Sequence, residues 1–229
     1  MLIDPAPTPA SGSSADLRTE LITRWNETLP HQEEMGAALL ARYAEPHRRY
    51  HTAAHLAKVL RTIDELAGDH DLFLVRLGAW FHDAVYAIPP GQLPNEEASA
   101  RLALRELSRA GLEQEDLTQI ARLVRLTATH QPSSRNPEGE LLCDADLAIL
   151  AAPPEEYANY VAAIRAEYAR VPEPEFVAGR LEILTRLAEG EIFRTSKGQA
   201  LSEAARANLL AECEALEARL EELVQGSKS

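Results

Sequence analysis

The chain has 229 residues, of which 45% are hydrophobic and 26% are charged, and its formal net charge is −13. A chain of this size buries enough surface to fold without disulfides or a structural metal, so a bound metal would serve chemistry. Because 23 Lys and Arg stand against 36 Asp and Glu, we expect no nucleic-acid polymer as a partner, since phosphate backbones require clustered positive charge.

The ends of the chain and its cysteines bear on its location. Residues 1–15 are rich in Pro and Ser and cannot bury an apolar face, which predicts a disordered N-terminal tail. Residues 226–229 are predicted to form a short C-terminal tail. The sequence has no apolar stretch of about 18 residues and no secretory signal at its start. Since Cys143 and Cys213 form no disulfide framework, we expect a cytoplasmic protein with no membrane partner.

Between these tails, residues 16–225 have apolar residues at helical spacing and no convincing strand pattern. Short breaks rich in Pro or Gly separate the segments, and none resembles an interdomain linker. The sequence therefore predicts one all-α domain, a helical bundle. Its last segment could pack internally or against a second subunit, which allows a monomer or a homodimer. The predicted helical segments are 17–25, 35–43, 56–66, 72–86, 96–109, 115–129, 141–150, 155–170, 176–189 and 201–224.

Two histidines, His51 and His55, are four residues apart, which places both imidazoles on one side of a helix. His55 lies four residues before Val59, at the border of the apolar face, so it can point inward. A pair of this kind taken alone is more often a surface feature than a metal site.

A second segment, 77–86, is apolar apart from His82, Asp83 and one tyrosine. Burying an ionised Asp without a partner costs several kcal/mol. A bound cation would remove that cost, and a hydrogen-bonded His–Asp pair is the alternative.

Two acids, Asp144 and Asp146, interrupt a third apolar segment. Side chains two residues apart on a helix diverge by about 200°, so only one of the two is expected to face a given site. Asp146 shares an apolar stripe with Leu142 and Leu150, which favours it as the inward acid. Simple solvation would explain the outward one.

Together these segments supply two imidazoles and two carboxylates. This mixture of nitrogen and oxygen suits one divalent transition metal ion, Mn, Fe, Co, Ni or Zn, and Mg less well. A second ion is possible. An open coordination position would bind water and lower its pKa.

The order of these residues, His55, then His82 and Asp83, then Asp146, resembles the H…HD…D signature of the HD-domain superfamily of metal-dependent phosphohydrolases, which are all-helical. The flanking words resemble an uncharacterised bacterial branch of predicted HD phosphohydrolases, over about residues 18–223. These words are YHTAAH at 50–55, FHDAVY at 81–86, NEEASA at 95–100 and DADL at 144–147.

The resemblance implies an HD-type bundle in which His55, His82, Asp83 and Asp146 are the four metal ligands. The assignment of Asp146 over Asp144 rests on an Ala-Asp-Leu alignment together with the stripe argument. The implied activity is hydrolysis of a small phosphorylated compound, with nucleotides among the candidates, through a metal-activated water.

Further catalytic and substrate-binding residues are expected around these ligands. Glu96 and Glu97 follow the dyad by 13 and 14 residues, and either could activate water or simply favour a helix N-terminus. Asp83 would hold the ion, and His130 could shuttle protons, complete a second metal site, contact phosphate or be a polar loop residue.

Basic residues cluster beside the first ligand helix. Arg48 and Arg49 could clamp phosphate, because planar guanidinium groups suit it, or form a solvated, ion-paired face. His51 could contact phosphate or complete a second metal site. The alternative functions are a di-iron oxygenase-type HD enzyme, with His51 and His130 as extra ligands, and a non-catalytic module that binds metal or nucleotide.

Overall fold

The computed structural model describes residues 14–68 and 71–226. The predicted tails lie largely outside the described residues: only 14 and 15 of the first and 226 of the second are described, and all three are helical. In the described ranges no strand occurs, and the predicted all-α single-domain bundle is confirmed. No helix of the described residues combines the length and the apolar character needed to cross a bilayer.

Ten α-helices and two 3₁₀ turns make up the described part of the chain. Pro at the first turn of α7, α8 and α9 fits these starts, since its missing N–H is not needed there. The 3₁₀ turns cover Ala148–Ala151 and Gly198–Leu201. The helices are α1 Ser14–Thr28, α2 Glu33–Tyr43, α3 Ala53–Leu66, α4 Phe73–Phe81, α5 Asn95–Arg109, α6 Gln114–Leu126, α7 Pro137–Leu147, α8 Pro154–Glu167, α9 Glu173–Glu189 and α10 Ser202–Gly226.

The buried apolar side chains form two clusters. The larger one joins α1 to α7 and contains Trp25 and Trp80, whose rings pack edge to face at 5.0 Å. The smaller one joins the end of α7 to α8, α9 and α10, and Leu209 lies at its centre. The side chains of α10 are therefore partly internal, since Leu209 is fully buried, while Leu210 is exposed.

The helix predicted over 72–86 ends earlier than expected, at Phe81. Side chains from other elements take the backbone groups that would continue it: Tyr43 Oη donates to Trp80 O, and Arg48 Nη1 donates to Asp83 O. Ser99 Oγ both accepts from Val85 N and donates to Val85 O. Residues 82 and 83 consequently form a turn and residues 84 and 85 a bend, and tertiary hydrogen bonds override the helical pattern.

Candidate metal centre and its cavity

Three helices bring the four expected ligand residues together. His55 lies in the first turn of α3, and Asp146 lies in the last turn of α7. His82 and Asp83 follow directly after α4. His55 and His82 are buried, at 5% and 1% exposure.

The donor atoms of His55, His82 and Asp83 lie within 4.8 Å of one another, a grouping that could hold one metal ion, and Asp146 lies beside the two imidazoles. His55 Nε2 and His82 Nε2 are 3.2 Å apart, and Asp83 Oδ2 lies 2.9 Å from His82 Nε2 and 3.5 Å from His55 Nε2. Asp146 Oδ1 lies 3.1 Å from His55 Nε2 and 3.6 Å from His82 Nε2. Atoms bound about 2.1 Å from a common ion stand about 3.0–3.4 Å apart. Each measured separation is close to that range.

Hydrogen bonding around the cluster also fits a cation. His82 Nδ1 lies 2.7 Å from Ala79 O, and because a carbonyl only accepts, Nδ1 carries the proton and Nε2 presents a lone pair in the neutral ring. Asp83 Oδ2 is buried and makes no hydrogen bond among the described residues. Such an orphaned oxygen beside two imidazole nitrogens is satisfied by a divalent ion.

The electrostatics of the four groups follow from burial and from their mutual attraction. Burial opposes the charged form of each and is the largest single effect, but the charge of His82 together with the other neighbouring histidines outweighs it and holds the pKa of Asp83 and Asp146 well below the ordinary value. Burial likewise lowers the pKa of both histidines, yet the carboxylates raise that of His55 and raise that of His82 well above its usual range. The carboxylates are thus held ionised, as metal ligands must be, whereas the two histidines, whose pKa is raised, would have to release a proton when an ion binds.

Asp144 and Asp146 turn out to do different things. Asp144 is fully buried rather than solvated. Its carboxylate accepts hydrogen bonds from Arg194 N at 2.9 Å, Thr195 N at 2.8 Å and Thr195 Oγ1 at 2.7 Å. Asp144 therefore binds the segment after α9 to α7 through hydrogen bonds, whereas Asp146 contacts the histidines.

His130 contacts the cluster through Asp146. Its Nε2 lies 2.8 Å from Asp146 Oδ2, and it donates to that carboxylate. The backbone of His130 is in the left-handed region, with φ of 51°, which is unfavourable for a residue with a Cβ and often marks a functional position. His130 therefore orients Asp146 from the side opposite to the candidate metal position.

His51 is held by an acid that the sequence did not single out, Glu167 at the end of α8. Glu167 Oε1 accepts from three successive backbone N–H groups, those of Arg49, Tyr50 and His51, at 2.7, 2.8 and 3.0 Å. Glu167 Oε2 lies 2.7 Å from His51 Nδ1 and accepts from Tyr86 Oη at 3.1 Å. Burial raises the pKa of Glu167, but these donors outweigh it and lower the pKa to about 2.

This arrangement fixes the orientation of the His51 ring. With Nδ1 donating to Glu167 and the ring stacked on Tyr86 at 4.2 Å, Nε2 is the nitrogen left for a ligand in the cavity that His51 lines. Glu167 gives no local signal in the sequence, because its spacing matches that of an ordinary surface acid in a helix.

The two arginines expected to bind substrate lie elsewhere. The Arg48 side chain is fully buried, and its Nη1 donates to Asp83 O at 2.8 Å and His51 O at 3.0 Å. Arg48 therefore positions the backbone of two site residues. The exposed Arg49 donates from Nη1 to Pro46 O. Neither guanidinium lines the cavity.

The structure also separates the two glutamates at the start of α5. Glu96 lines the cavity. Glu97 points away and forms ion pairs with Arg101 and Arg125, each at 2.6 Å. Hydrogen bonds from Arg125 and then Arg101 lower the pKa of Glu97 to about 2. Of these two glutamates, Glu96 is the one that lines the cavity.

The cluster opens into a cavity of about 400 Å³ covered by α8 and α9. Its cationic side chain, Arg180, is already engaged: the guanidinium donates to Glu212 at 2.9 Å and to Tyr160 Oη at 3.0 Å. The cavity therefore combines a polar floor with an aromatic and apolar wall. The floor contains His51, Asp83, Asn95, Glu96, Thr127, His130 and Asp146, and the wall contains Tyr86, Tyr160, Ile164, Tyr168, Val171, Phe176 and Ile183.

No family model, curated protein or solved structure matches the chain.

Proposed function

We propose that this chain is a metal-dependent phosphohydrolase of the HD type that acts on a small phosphorylated compound. The observation that carries the proposal is the group of donor atoms from His55, His82 and Asp83 that could hold one divalent ion, with Asp146 Oδ1 3.1 Å from His55 Nε2 and both aspartates lining a cavity. The ordered H…HD…D pattern supports the same reading. A cavity of about 400 Å³ suits a small molecule.

The ligand set favours a single ion of Mn, Fe, Co, Ni or Zn, with Mg less suited to imidazole nitrogen. A bound ion of this kind polarises a phosphoryl oxygen and lowers the pKa of water. A second ion at His130 would have to compete for Nε2, which donates to Asp146. This contact favours one ion over a di-iron centre.

Hydrolysis requires a proton to move while two bonds change. The water oxygen forms a bond to phosphorus, the ester P–O bond breaks, and its electron pair stays on the leaving oxygen, which ends with a proton from water. His51 and Glu96 line the cavity and are the residues available to carry that proton. Glu167 holds His51 with Nε2 free for this role.

The charge of the chain, its cysteines and the surface of α10 bear on its partners, its location and its oligomeric state. A small phosphorylated substrate fits, and an acidic chain disfavours a nucleic-acid polymer. A cytoplasmic location is proposed because both cysteines, Cys143 and Cys213, are unpaired and buried. Leu210 on α10 is exposed, so both a monomer and a homodimer that packs through α10 are compatible with the structure. Sedimentation analysis distinguishes the two.

The test begins with metal analysis of the purified protein, followed by a phosphate-release screen of nucleotides and sugar phosphates with Mn²⁺, Co²⁺, Ni²⁺ or Mg²⁺. We expect about one divalent ion per chain, and loss of both the ion and activity in His82→Ala and Asp83→Ala. The matched control is His31→Asn, at an exposed histidine whose φ of 65° suits Asn. Full metal content in both variants would refute the proposal.

Other outcomes of the same experiment assign the alternatives. Two irons per chain with oxygen-dependent turnover would identify a di-iron oxygenase. One bound ion with no turnover across the phosphoester panel would identify a binding module.

A further inference from the structure

A second cleft lies next to the main cavity, and His130 lines both of them. It has a volume of about 250 Å³ and shares three lining residues with the main cavity, Thr127, His130 and Ile183. Because His130 also donates to Asp146, this cleft begins beside the candidate metal centre. A ligand at the centre could therefore extend into it.

The second cleft differs from the main cavity in charge. It is lined by two arginines, Arg186 and Arg194, and by one acid, Glu191, and we call it the arginine cleft. In the part of the chain that the structure describes, Arg186 forms no ion pair. Arg194 Nη1 lies 3.4 Å from the exposed carboxylate of Glu191.

The main cavity, by contrast, offers no such free cation. Its guanidinium, that of Arg180, is neutralised by Glu212. Two further acids, Glu96 and Glu175, line the same cavity beside the candidate ligands. An anionic group of a substrate is consequently attracted to the arginine cleft rather than to the aromatic wall.

Both arginines are held in place by elements that also build the site. The backbone N–H of Arg194 donates to Asp144, two residues before Asp146 on α7. Arg186 lies on α9 three residues after Ile183, which lines both cavities. Three residues correspond to about one helical turn, so Ile183 and Arg186 share a face.

We propose that the arginine cleft binds a second anionic group of the substrate, a phosphoryl or carboxylate group carried a few bonds from the phosphate at the metal centre. This inference rests on the proposed function and specifies its substrate class as bis-anionic organophosphates. Guanidinium groups suit both anions because their planar donors match two oxygens at once.

Calorimetric binding of three probes of equal chain length tests this inference. Each has three sp³ carbons attached to its phosphonate: propylphosphonate carries one anionic group, propane-1,3-diphosphonate carries two phosphoryl groups, and 4-phosphonobutyrate carries a phosphoryl and a carboxylate group. We expect the Mn²⁺-loaded protein to bind at least one bis-anion about tenfold more tightly than propylphosphonate, the effect of one charge-assisted hydrogen bond. The two bis-anions then distinguish phosphoryl from carboxylate as the second group.

The decisive variant is the double substitution Arg186→Gln with Arg194→Gln, and Arg122→Gln on α6 is the control, since that exposed arginine lies outside both cavities. The double variant should lose the tenfold preference and keep its affinity for propylphosphonate, whereas the control should keep both. Equal affinities for all three probes in the wild type, or a preference that survives the double substitution, would overturn the inference.

A phosphate-release assay on the same preparations separates this inference from the proposed function. Metal-dependent release without any bis-anion preference would leave the proposed function standing and remove the inference. A preference that depends on both arginines, in a protein without metal-dependent release, would support the anion site and remove the hydrolase.

Discussion

Glu167→Gln is the sharpest single test of how the site is held together. The Glu167 side chain is 1% exposed and receives hydrogen bonds from three backbone N–H groups, His51 and Tyr86. Gln retains one oxygen for the backbone groups but presents an amide N–H₂ to His51 Nδ1 and Tyr86 Oη. The substitution therefore removes the charge and reverses the hydrogen bond to His51.

The pKa of Glu167 sets the magnitude of the stability loss. It falls from 4.5 to about 2, and at about 1.4 kcal/mol per pH unit this corresponds to about 3 kcal/mol of folding free energy. Because the folded-state pKa is depressed, this contribution is fully present above pH 4.5 and is lost as the pH falls towards 2. Wild type and variant should thus differ by about 3 kcal/mol at pH 7 and converge on acidification.

Urea unfolding at several values between pH 7 and pH 3 measures this difference. Glu97→Gln is the matched control, because the pKa of Glu97 is also about 2, yet its side chain is 27% exposed. Exposed ion pairs contribute about 0–1 kcal/mol, so the control should lose little stability. If Glu167→Gln unfolds with the same free energy as the wild type at pH 7, the reasoning is wrong.

The same variant also tests the proposed role of His51 as a proton carrier. With an amide donor at position 167, neutral His51 must accept at Nδ1 and carry its proton on Nε2. His51 then presents a donor instead of a lone pair to the cavity. We expect kcat to fall by at least 100-fold, the size of a general acid–base contribution, with metal content unchanged. Unchanged kcat would remove His51 as the proton carrier.

Two further predictions concern the neighbouring acids of α7. Asp144→Asn should destabilise the fold by about 1–3 kcal/mol and leave metal content intact, because its carboxylate binds backbone and hydroxyl donors, whereas Asp146→Asn should lower metal content. Thermal unfolding and metal analysis of both variants check this, and equal metal loss in both would contradict it. Gly198→Ala should lower the melting temperature, since its Cβ would overlap Asp144 Oδ2. A melting temperature equal to that of the wild type would show that the segment shifts freely.

Three of the four clustered residues could be singled out from the sequence because they interrupt apolar segments, whereas His55 was singled out by its spacing from His51 and by the resemblance. His82 and Asp83 interrupt an apolar segment, and Asp146 shares a stripe with leucines. Charged or polar residues inside an apolar segment can be recognised from the sequence alone, because burying them without a partner is costly. These residues lie close together because of the way three helices pack, and that packing is seen only in the structure.

Glu167 and Arg180 were not accessible in this way, because both occur in helices where charged residues are ordinary. Their roles depend on partners far along the chain: Glu167 binds residues 49–51, and Arg180 pairs with Glu212. Arg48 is a different case, since its position beside the helix of His55 suggested phosphate binding. Its guanidinium is instead directed into the protein by two backbone carbonyls.

These placements change how the charge of the chain should be understood. A net charge of −13 repels phosphate at long range, so binding depends on the few cations that remain available at close range. Arg48 and Arg180 are committed to internal partners, and Arg49 points to a backbone carbonyl at the surface. Arg186 and Arg194, which line the arginine cleft, are therefore the cations expected to bind an anionic group of a substrate. Discrimination among small phosphates would then depend on whether a second anionic group reaches them.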